Sequence, residues 1–535
     1  QTFALQVTFG LVLRIVLLNL HDALRSQSAN PHRWAHLVGR NPAIATSHVP
    51  PKRLLSASFG TKVRRHLGNV TPFGAPLGAT STYRNTKNRI MIDEFERSKL
   101  RVIVIVGTRP EAIKLFPVIR RLRESLLLEP FVILTGQHRD LVAPVFEMAE
   151  IEPDVDLNVG SEPRTLNGLV AAIVDGVEDV VTDLRATDPQ REIPRTAMVL
   201  VHGDTTSAMA GALASIQVRL PVIHVEAGLR TDDTLSPFPE ELNRQLIARI
   251  ACFHLAPTTD NLGNLVQEHV PATRIFVTGN TGIDALQWAA DKDDTFDDPR
   301  LVELMETDGP VVVATAHRRE NWGGGLARIA EGLAEIARQR PDVTVVLPLH
   351  PNPLVREEVT PILGDLPNVL LTEPLEYANF ARLLKRATIA ITDSGGIQEE
   401  APSLGTPVLV TRDQTERQEG VIAGTLKLVG TNTELIVQEA LTLLNNPEAY
   451  EVMRNKHNPY GDGYAAQRIV AALETLAFGE AAPAPFGPSF SRAAVLEAAG
   501  YEDLPRSPYE DIRLRRGEGK TSKYIGPERR QSRDR

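Results

Sequence analysis

The sequence predicts an α/β fold built from two doubly wound, parallel-sheet domains that face each other. Short β-branched apolar runs alternate with longer helical patterns, which is the rhythm of βαβ units. This rhythm occurs in two blocks, separated by the acidic stretch ADKDDTFDDP at residues 290–299. The chain has 535 residues, 42% of them hydrophobic, so it is long enough to bury more than one core.

The predicted strands are short and rich in valine and isoleucine, which favours strands buried on both faces. Four fall in the first block and five in the second. They span residues 101–106, 131–135, 198–201, 222–225, 311–315, 343–347, 369–371, 390–392 and 408–410.

The two ends of the chain differ in composition from the middle. Residues 1–90 hold twelve Lys or Arg and one acid, Asp22. We expect residues 1–98 to be a leader that is disordered or not part of the native chain. A basic, acid-poor leader resembles an organelle transit peptide, but Met91 stands just before the first strand and favours translated upstream sequence. Residues 479–535 are rich in Pro, Arg and Glu and predict a disordered, charged tail, with one short helix at residues 491–499.

Charge and motifs exclude several classes of function. The net charge of −9 argues against a nucleic-acid binder. The single cysteine, Cys252, lies in an apolar run and predicts a buried residue in a reducing compartment, the cytoplasm. No strand is followed by G-x-G-x-x-G or a Walker A motif, and the D-x-D matches are those of solvated loops. We therefore expect no bound cofactor, no metal and no membrane contact.

Polar residues follow nearly every predicted strand, as in open parallel sheets that bind ligands at the carboxyl ends of their strands. Because this holds in both blocks, we predict a central cleft lined from two sides. The strand-end motifs are Gly107-Thr108-Arg109, Gly136-Gln137-His138, His202-Gly203-Asp204, Glu226-Ala227-Gly228, His317-Arg318-Arg319, His350 and Asp393-Ser394-Gly395-Gly396.

The stretch ITDSGGIQEE at residues 391–400 predicts a nucleotide site. Ser394, Gly395 and Gly396 leave a strand and start a helix, whose free amides and positive dipole end attract phosphate. Glu400 lies about one turn later, where its carboxylate can accept hydrogen bonds from a ribose diol. Glu399 points about 100° away on a helix and is expected to be a first-turn partner of the dipole. Simple helix capping explains the SGG motif equally well.

Long motifs across roughly residues 99–478 resemble the bacterial non-hydrolysing UDP-N-acetylglucosamine 2-epimerases. In chain order they are VGTRPEAIK, TGQHRD, VHGDTTSAMAGALA, HVEAGLRTDD with SPFPEELNRQ, VTGNTGIDAL, AHRRENWG, TDSGGIQEEAPSLGTPVLV and VGTN. The resemblance implies a GT-B-type pair of Rossmann-like domains, usually in a homodimer. It implies interconversion of UDP-N-acetylglucosamine and UDP-N-acetylmannosamine for cell-surface polysaccharide synthesis. Residues 99–280, completed by a helix at about 464–478, would form the N-terminal domain, and residues 281–463 the UDP-binding C-terminal domain.

The resemblance also assigns roles to acidic residues. The hydrogen on C2 of the sugar becomes acidic only when UDP begins to leave C1, so the site needs carboxylates for proton transfer and cations for the departing diphosphate. The similarity places the carboxylates at Asp204, Glu226 and Glu240. From the residues alone, Asp204 could cap the next helix, Glu226 could bind a backbone amide, and Glu240 could pair with Arg244 four residues later. Which carboxylate removes the proton and which returns it stays open.

The similarity places Arg109, Lys114, His317 and Arg417 near the diphosphate, with His317 also a candidate proton donor. The family usually has proline where Gln418 stands, which puts the direction of Arg417 in question. In some relatives the positions of Gln137, His138, Arg318 and His350 form a second, regulatory nucleotide-sugar site. Two alternatives remain: a hydrolysing epimerase that releases N-acetylmannosamine and UDP, and a non-catalytic nucleotide-sugar sensor.

Overall fold

The computed structural model describes residues 99–161, 164–187, 196–231, 233–292, 295–484, 486–487 and 489–501. The predicted leader and the predicted tail from residue 502 onward lie outside these described residues.

The first lobe is built on a seven-stranded sheet whose neighbouring strands all pair in parallel, in the order β3-β2-β1-β4-β5-β6-β7. This order reverses next to β1, so the sheet is doubly wound. Its strands are β1 Leu100–Val106, β2 Leu128–Leu134, β3 Val155–Asp156, β4 Thr196–His202, β5 Val222–Val225, β6 Phe253–Ala256 and β7 Ile275–Val277.

The second lobe is built on a six-stranded parallel sheet in the order β10-β9-β8-β11-β12-β13. Its strands are β8 Val311–Thr315, β9 Thr344–Pro348, β10 Val369–Thr372, β11 Ile389–Thr392, β12 Val408–Val410 and β13 Leu426–Leu428. The predicted α/β class with two Rossmann-like, doubly wound domains of GT-B type is confirmed.

Helices cover both faces of each sheet. The first part of the chain contributes α1 Arg109–Glu124, α2 Arg139–Met148, α3 Leu166–Ala186, α4 Thr206–Gln217, α5 Glu240–Ile250, α6 Thr259–Gln267 and α7 Thr281–Ala290. The second contributes α8 Pro299–Met305, α9 Gly325–Gln339, α10 Pro353–Leu363, α11 Tyr377–Arg386, α12 Gly395–Glu400, α13 Gln418–Ala423, α14 Thr433–Asn445, α15 Pro447–Arg454, α16 Ala465–Phe478 and α17 Arg492–Ala499.

Each sheet has a hydrophobic core on both faces, because side chains alternate along a strand. In β1, Val102 and Val104 point into the core under α1, α2 and α16, whereas Ile103 and Ile105 point into the core under α3 and α4. Burial on both faces explains why these strands read as continuous apolar runs rather than as alternating ones.

All nine predicted strands are present, with ends that differ by up to three residues. The sequence analysis missed four more: β3, β6, β7 and β13. Three of these have two or three residues, too few for a recognisable pattern. The fourth, β6, directly follows Cys252, whose predicted burial is confirmed.

The tail was predicted to be disordered from residue 479, and this start is wrong. The predicted short helix is present as α17, and the segment before it packs on the first lobe. Phe490 contacts Phe253 and Phe276 with ring centroids 4.6 and 5.5 Å apart, and Val495 on α17 is buried. These apolar side chains lie in a segment rich in Pro and Ala, so the composition of the segment did not indicate that they would be buried.

Helix α16 packs on the first lobe, far along the chain from the strands it covers. Ile469 and Leu473 join the core under α1. The amides of Ala465 and Ala466 at its first turn donate to the carboxylate of Asp284 on α7, at 3.2 and 2.8 Å. Helix α7 itself contributes Ala285 to the first lobe's core and Leu286 to the second's. The exact domain boundaries stay a prediction.

Asp284 makes the stability of the protein depend on pH. Burial raises the pKa of Asp284 to about 6, although the amides of α16 lower it. A raised folded pKa means that its contribution is greatest below about pH 4 and is lost as the pH rises to about 6. We expect the unfolding free energy of the wild type, relative to Asp284→Asn, to fall by on the order of 3 kcal/mol across that window. Urea unfolding of both proteins at several pH values checks this; a constant difference would contradict it.

Within the described part of the chain, no helix is both long enough and apolar enough to cross a membrane.

Candidate active site

Lys114 and Glu226 form an ion pair in the first lobe. Lys114 lies on α1, and Glu226 directly follows β5 in a left-handed backbone conformation with φ of 60°. Burial would raise the pKa of Glu226, but the Lys114 ammonium outweighs it and lowers the pKa to about 2. Nε2 of His202 lies 3.6 Å from the Glu226 carboxylate, and burial lowers the pKa of His202 to about 4. At neutral pH the group is therefore a carboxylate, an ammonium and a neutral imidazole.

The second lobe brings further charges to this pair. Nε of Arg417 donates to Glu399 at 2.8 Å, and Asn280 donates to the other Glu399 oxygen at 2.6 Å. Burial would lower the pKa of Lys114, yet the carboxylates of Glu226, Glu399 and Glu400 outweigh it and raise the pKa. Because α12 ends at Glu400, Glu399 lies in its last turn, and the expected first-turn role is wrong.

Glu400 lies in the same cluster. Burial raises its pKa to about 8, Lys114 lowers it, and the nearby carboxylates of Glu399 and Glu226 raise it further. Residues of both lobes line a cavity with an empty volume of about 440 Å³ at this point. Its charged lining consists of Lys114, Glu226, Glu399, Glu416, Arg417 and Glu419. Of the predicted strand-end acids, Glu226 lines this cavity. A cleft in which the acids of one lobe meet the glycine-led turn of the other stays a prediction.

Asp204 is held by Arg244 rather than used as a helix cap. Its Oδ2 accepts from Nε and Nη2 of Arg244 at 2.9 and 2.6 Å. The N-cap of α4 is Thr205, whose side chain accepts from the amide of Ala208. The remaining Arg244 nitrogen donates to the buried Glu241 at 2.9 Å. Arg244 therefore fixes one side of Asp204, whose side chain stays 25% exposed.

Glu240 is the first residue of α5, as predicted. With the described residues its side chain forms no hydrogen bond or ion pair, so the alternative that it merely pairs with Arg244 is not observed. Its partly exposed carboxylate is available to a ligand.

His317 follows β8 and is positioned by Asp393, which follows β11. The Asp393 side chain is fully buried, and its Oδ2 accepts from the amides of His317 and Arg318, both at 2.8 Å. Asn321 donates to the same oxygen at 3.0 Å. The other oxygen lies 3.2 Å from Nδ1 of His317, which leaves Nε2 of the half-exposed imidazole free. The ring of His350 stacks on His317, with centroids 5.5 Å apart.

The turn Ser394-Gly395-Gly396 starts α12 beside Arg417. A Cβ added at Gly395 would lie 3.0 Å from Cζ of Arg417, so a side chain there would require the guanidinium to shift slightly. Gln418 starts α13 and donates to the carbonyl of Thr415 at 2.6 Å. Arg417 lines the cleft cavity and donates to Glu399, even though glutamine replaces the proline usual at position 418.

The sequence matches known proteins over most of its length. The profile of a family described as UDP-N-acetylglucosamine 2-epimerase matches residues 120–474. The chain belongs to this family. A Yersinia pestis protein named UDP-N-acetylglucosamine 2-epimerase is 46% identical over 380 residues, which cover 70% of this chain and 98% of that protein. The Escherichia coli K12 protein of the same name is 44% identical over 380 residues, with the same coverage.

Solved structures of the epimerase family share the fold. A putative UDP-N-acetylglucosamine 2-epimerase from Listeria monocytogenes is 42% identical, with a TM-score of 0.67, and covers 73% of this chain and 100% of its own. The UDP-GlcNAc 2-epimerase from Neisseria meningitidis, whose crystal structure is bound to UDP-GlcNAc, is also 42% identical. Its TM-score is 0.60, and the match covers 70% of this chain and 99% of that one.

The residues predicted from the epimerase family for a regulatory site fall into two groups. Gln137 accepts from the hydroxyl of Ser207 at 2.7 Å, and the exposed His138 precedes α2 in the first lobe. Arg318 and His350 lie beside His317 in the second lobe. Among described residues, no hydrogen bond or ion pair joins the two groups. A regulatory role stays a prediction, as does the role of Arg109, the first residue of α1.

Three carboxylates hold the strand-end loops: the buried Glu111 and Asp393, and the partly buried Glu399. The sequence analysis gave no role to Glu111 and did not predict the partners of the other two. A signal existed for Glu111, since T-x-x-E before an apolar run indicates a capping box. For the other two the partners lie far along the chain. In the described part of the chain, no group of three or more His, Cys, Asp or Glu side chains is arranged to hold a metal ion. The expectation of no metal stays a prediction.

Proposed function

We propose that this chain interconverts UDP-N-acetylglucosamine and UDP-N-acetylmannosamine by eliminating UDP to 2-acetamidoglucal and re-adding UDP at C1, with protonation of C2 from the other face. The observation that carries the proposal is the cleft, where Lys114 and Glu226 of one lobe meet Glu400 and Arg417 of the other. Such a cleft offers cations to a diphosphate and carboxylates to the adjoining sugar. The family's name supports the substrate.

In the proposed reaction the bond from C1 to the diphosphate breaks first. Positive charge then grows at C1 and acidifies the hydrogen on C2, so a carboxylate can remove it. We assign proton transfer to Asp204, Glu226 and Glu240, with the order left open. Arg109, Lys114, His317 and Arg417 would stabilise the leaving diphosphate, together with the amides at the start of α12. Glu400 would accept hydrogen bonds from the ribose.

The ion pair of Lys114 suggests how binding activates the site. While Lys114 holds Glu226, that carboxylate is a weak base, because its pKa is lowered to about 2. A diphosphate that draws the ammonium away would remove this effect and let burial raise the pKa of Glu226. The base would then become effective only when substrate is bound. The homodimer, the cytoplasmic location and the supply of cell-surface polysaccharide synthesis stay predictions.

Incubation with UDP-N-acetylglucosamine in deuterated water, followed by NMR, tests the reaction. We expect deuterium at C2 in both epimers without added NAD or metal. Free N-acetylmannosamine and UDP, with no UDP-N-acetylmannosamine, would instead identify a hydrolysing enzyme. Binding without turnover would identify a sensor and contradict the proposal.

Glu400→Ala should mainly weaken nucleotide binding. Loss of a buried hydrogen-bond partner typically costs about 1–3 kcal/mol, so we expect a roughly tenfold loss of UDP affinity by calorimetry. Glu434→Ala is the control, because Glu434 is an exposed first-turn residue of α14 in the same lobe. Abolished turnover with unchanged UDP affinity would contradict the assignment of Glu400 to the ribose.

A further inference from the structure

Glu111 is a fully buried carboxylate in the first turn of α1, with 1% of its surface exposed. Its Oε2 accepts from the amides of Gly107 and Thr108, at 3.0 and 2.7 Å. These two bonds hold the loop between β1 and α1, which leads directly into Arg109. They are the bonds expected of a residue that caps a helix N-terminus.

The second oxygen of Glu111 has a partner that capping does not require. Oε1 accepts from the hydroxyl of Thr205 at 2.7 Å, 94 residues away in the sequence. Thr205 directly follows Asp204, and its hydroxyl oxygen also accepts from the amide of Ala208 at 3.0 Å. A single side chain thus contacts both the loop that precedes Arg109 and the residue after Asp204.

We propose that Glu111 is a positioning residue that fixes Asp204 relative to the loop of Arg109 through the hydroxyl of Thr205. The proposal rests on the proposed function, which assigns proton transfer to Asp204. The loop that carries Asp204 is also held by two residues of α5. Arg244 binds the Asp204 carboxylate, and Asn243 donates to the Asp204 carbonyl at 2.8 Å. Together with the contact from Glu111 on α1, these bonds form a clamp on the Asp204 loop, made by Glu111, Asn243 and Arg244.

The geometry gives this clamp a physical purpose. Gly203, just before Asp204, has φ of 65°, a conformation that favours glycine. A catalytic group displaced by about 1 Å can cost about 10²-fold in rate, so the position of Asp204 must be fixed closely. Burial raises the pKa of Glu111 to about 7, against the hydrogen bonds from Thr205, Thr108 and Gly107, which lower it. The ionised form is the one that accepts all three bonds.

The test compares variants at both ends of the Glu111–Thr205 bond. Glu111→Gln keeps an oxygen for the two backbone amides but replaces the acceptor that faces Thr205 with a donor. Thr205→Ala removes the hydroxyl from the other end. We expect each to lower kcat by roughly tenfold, with KM for UDP-N-acetylglucosamine changed less than about twofold. The double variant should lose no more than the worse single variant, since both break one bond.

Two further variants separate positioning from helix capping. Thr205→Ser keeps the hydroxyl and should restore most of the kcat that Thr205→Ala loses. Thr165→Ala removes a comparable threonine cap, which accepts from Gly168 at the start of α3, away from both loops. It should lower the unfolding temperature as Thr205→Ala does while kcat stays at the wild-type value.

Several results would overturn the inference. Full kcat in Glu111→Gln, additive losses in the double variant, or an equal kcat loss in Thr165→Ala would each exclude a positioning role. If Glu111→Gln does not fold, the contrast between Thr205→Ala and Thr205→Ser decides, and equal kcat in these two overturns it. A wild-type chain without turnover would refute the proposed function and this inference together, whereas normal wild-type turnover with unaffected variants refutes this inference alone.

Discussion

Glu226→Gln is expected to lower the turnover of UDP-N-acetylglucosamine by about 10³-fold while UDP still binds. General acid–base catalysis typically contributes ~10²–10⁴-fold, and an amide cannot accept the proton from C2. Asp204→Asn and Glu240→Gln should each lose ~10²-fold or more for the same reason. Turnover is measured by NMR of the two epimers, and UDP affinity by calorimetry.

The matched control for Glu226→Gln is Glu439→Gln. Glu439 also pairs with a lysine, Lys427, but this pair lies on the second lobe outside the cleft cavity. We expect Glu439→Gln to keep full turnover, because neither partner of this ion pair lines the cleft cavity. Undiminished turnover in all three acid variants would refute the assignment of proton transfer to these carboxylates.

Asp393→Asn is expected to lower kcat by about 10²-fold without unfolding the protein. Burial raises the pKa of Asp393, but His317 and the two backbone amides outweigh it and lower the pKa, so the group is a carboxylate at neutral pH. In the variant, one of the two carboxylate oxygens is replaced by an amide nitrogen. This nitrogen would face either the backbone amides of His317 and Arg318, which are also donors, or Nδ1 of His317, which would lose its acceptor. The imidazole would then lose its fixed tautomer and direction, and a small misplacement has a large cost in rate.

Asp298→Asn is the control for this variant, since Asp298 caps α8 outside the cleft cavity. NMR of the His317 ring nitrogens supplies a second measurement, because the proton should lie on Nδ1 in the wild type and lose that preference in Asp393→Asn. Unchanged kcat in Asp393→Asn would show that His317 needs no positioning by this carboxylate.

Much of the fold could be predicted because its signals are local. A strand buried on both faces must be apolar throughout, so continuous apolar runs such as Val102 to Val106 and Val311 to Val313 predict strands directly. The strands that were missed, such as Val155–Asp156, are too short to carry a pattern. The packing of residues 489–501 was missed because Phe490 and Val495 are single apolar side chains, and their burial depends on a surface formed by distant strands.

The candidate site was predicted in part, for a related reason. The carboxyl ends of parallel strands lie at one edge of a sheet, so the sequence already indicates that Asp204 and Glu226 lie at the same edge. The long sequence motifs indicated the epimerase family. Which atoms pair could not be predicted: Arg244 had a carboxylate four residues before it, Glu240, yet it binds Asp204 and Glu241.

By itself, the sequence of this chain determined two parallel-sheet lobes, the strand ends that carry polar side chains, and membership of the epimerase family. All three depend on residues that are neighbours along the chain. Only the tertiary structure decided which charges pair. Lys114 and Glu226 are 112 residues apart, Glu111 and Thr205 are 94 apart, and His317 and Asp393 are 76 apart. Such pairs form only where the packing of sheets and helices brings distant loops together, and burial there decides their protonation.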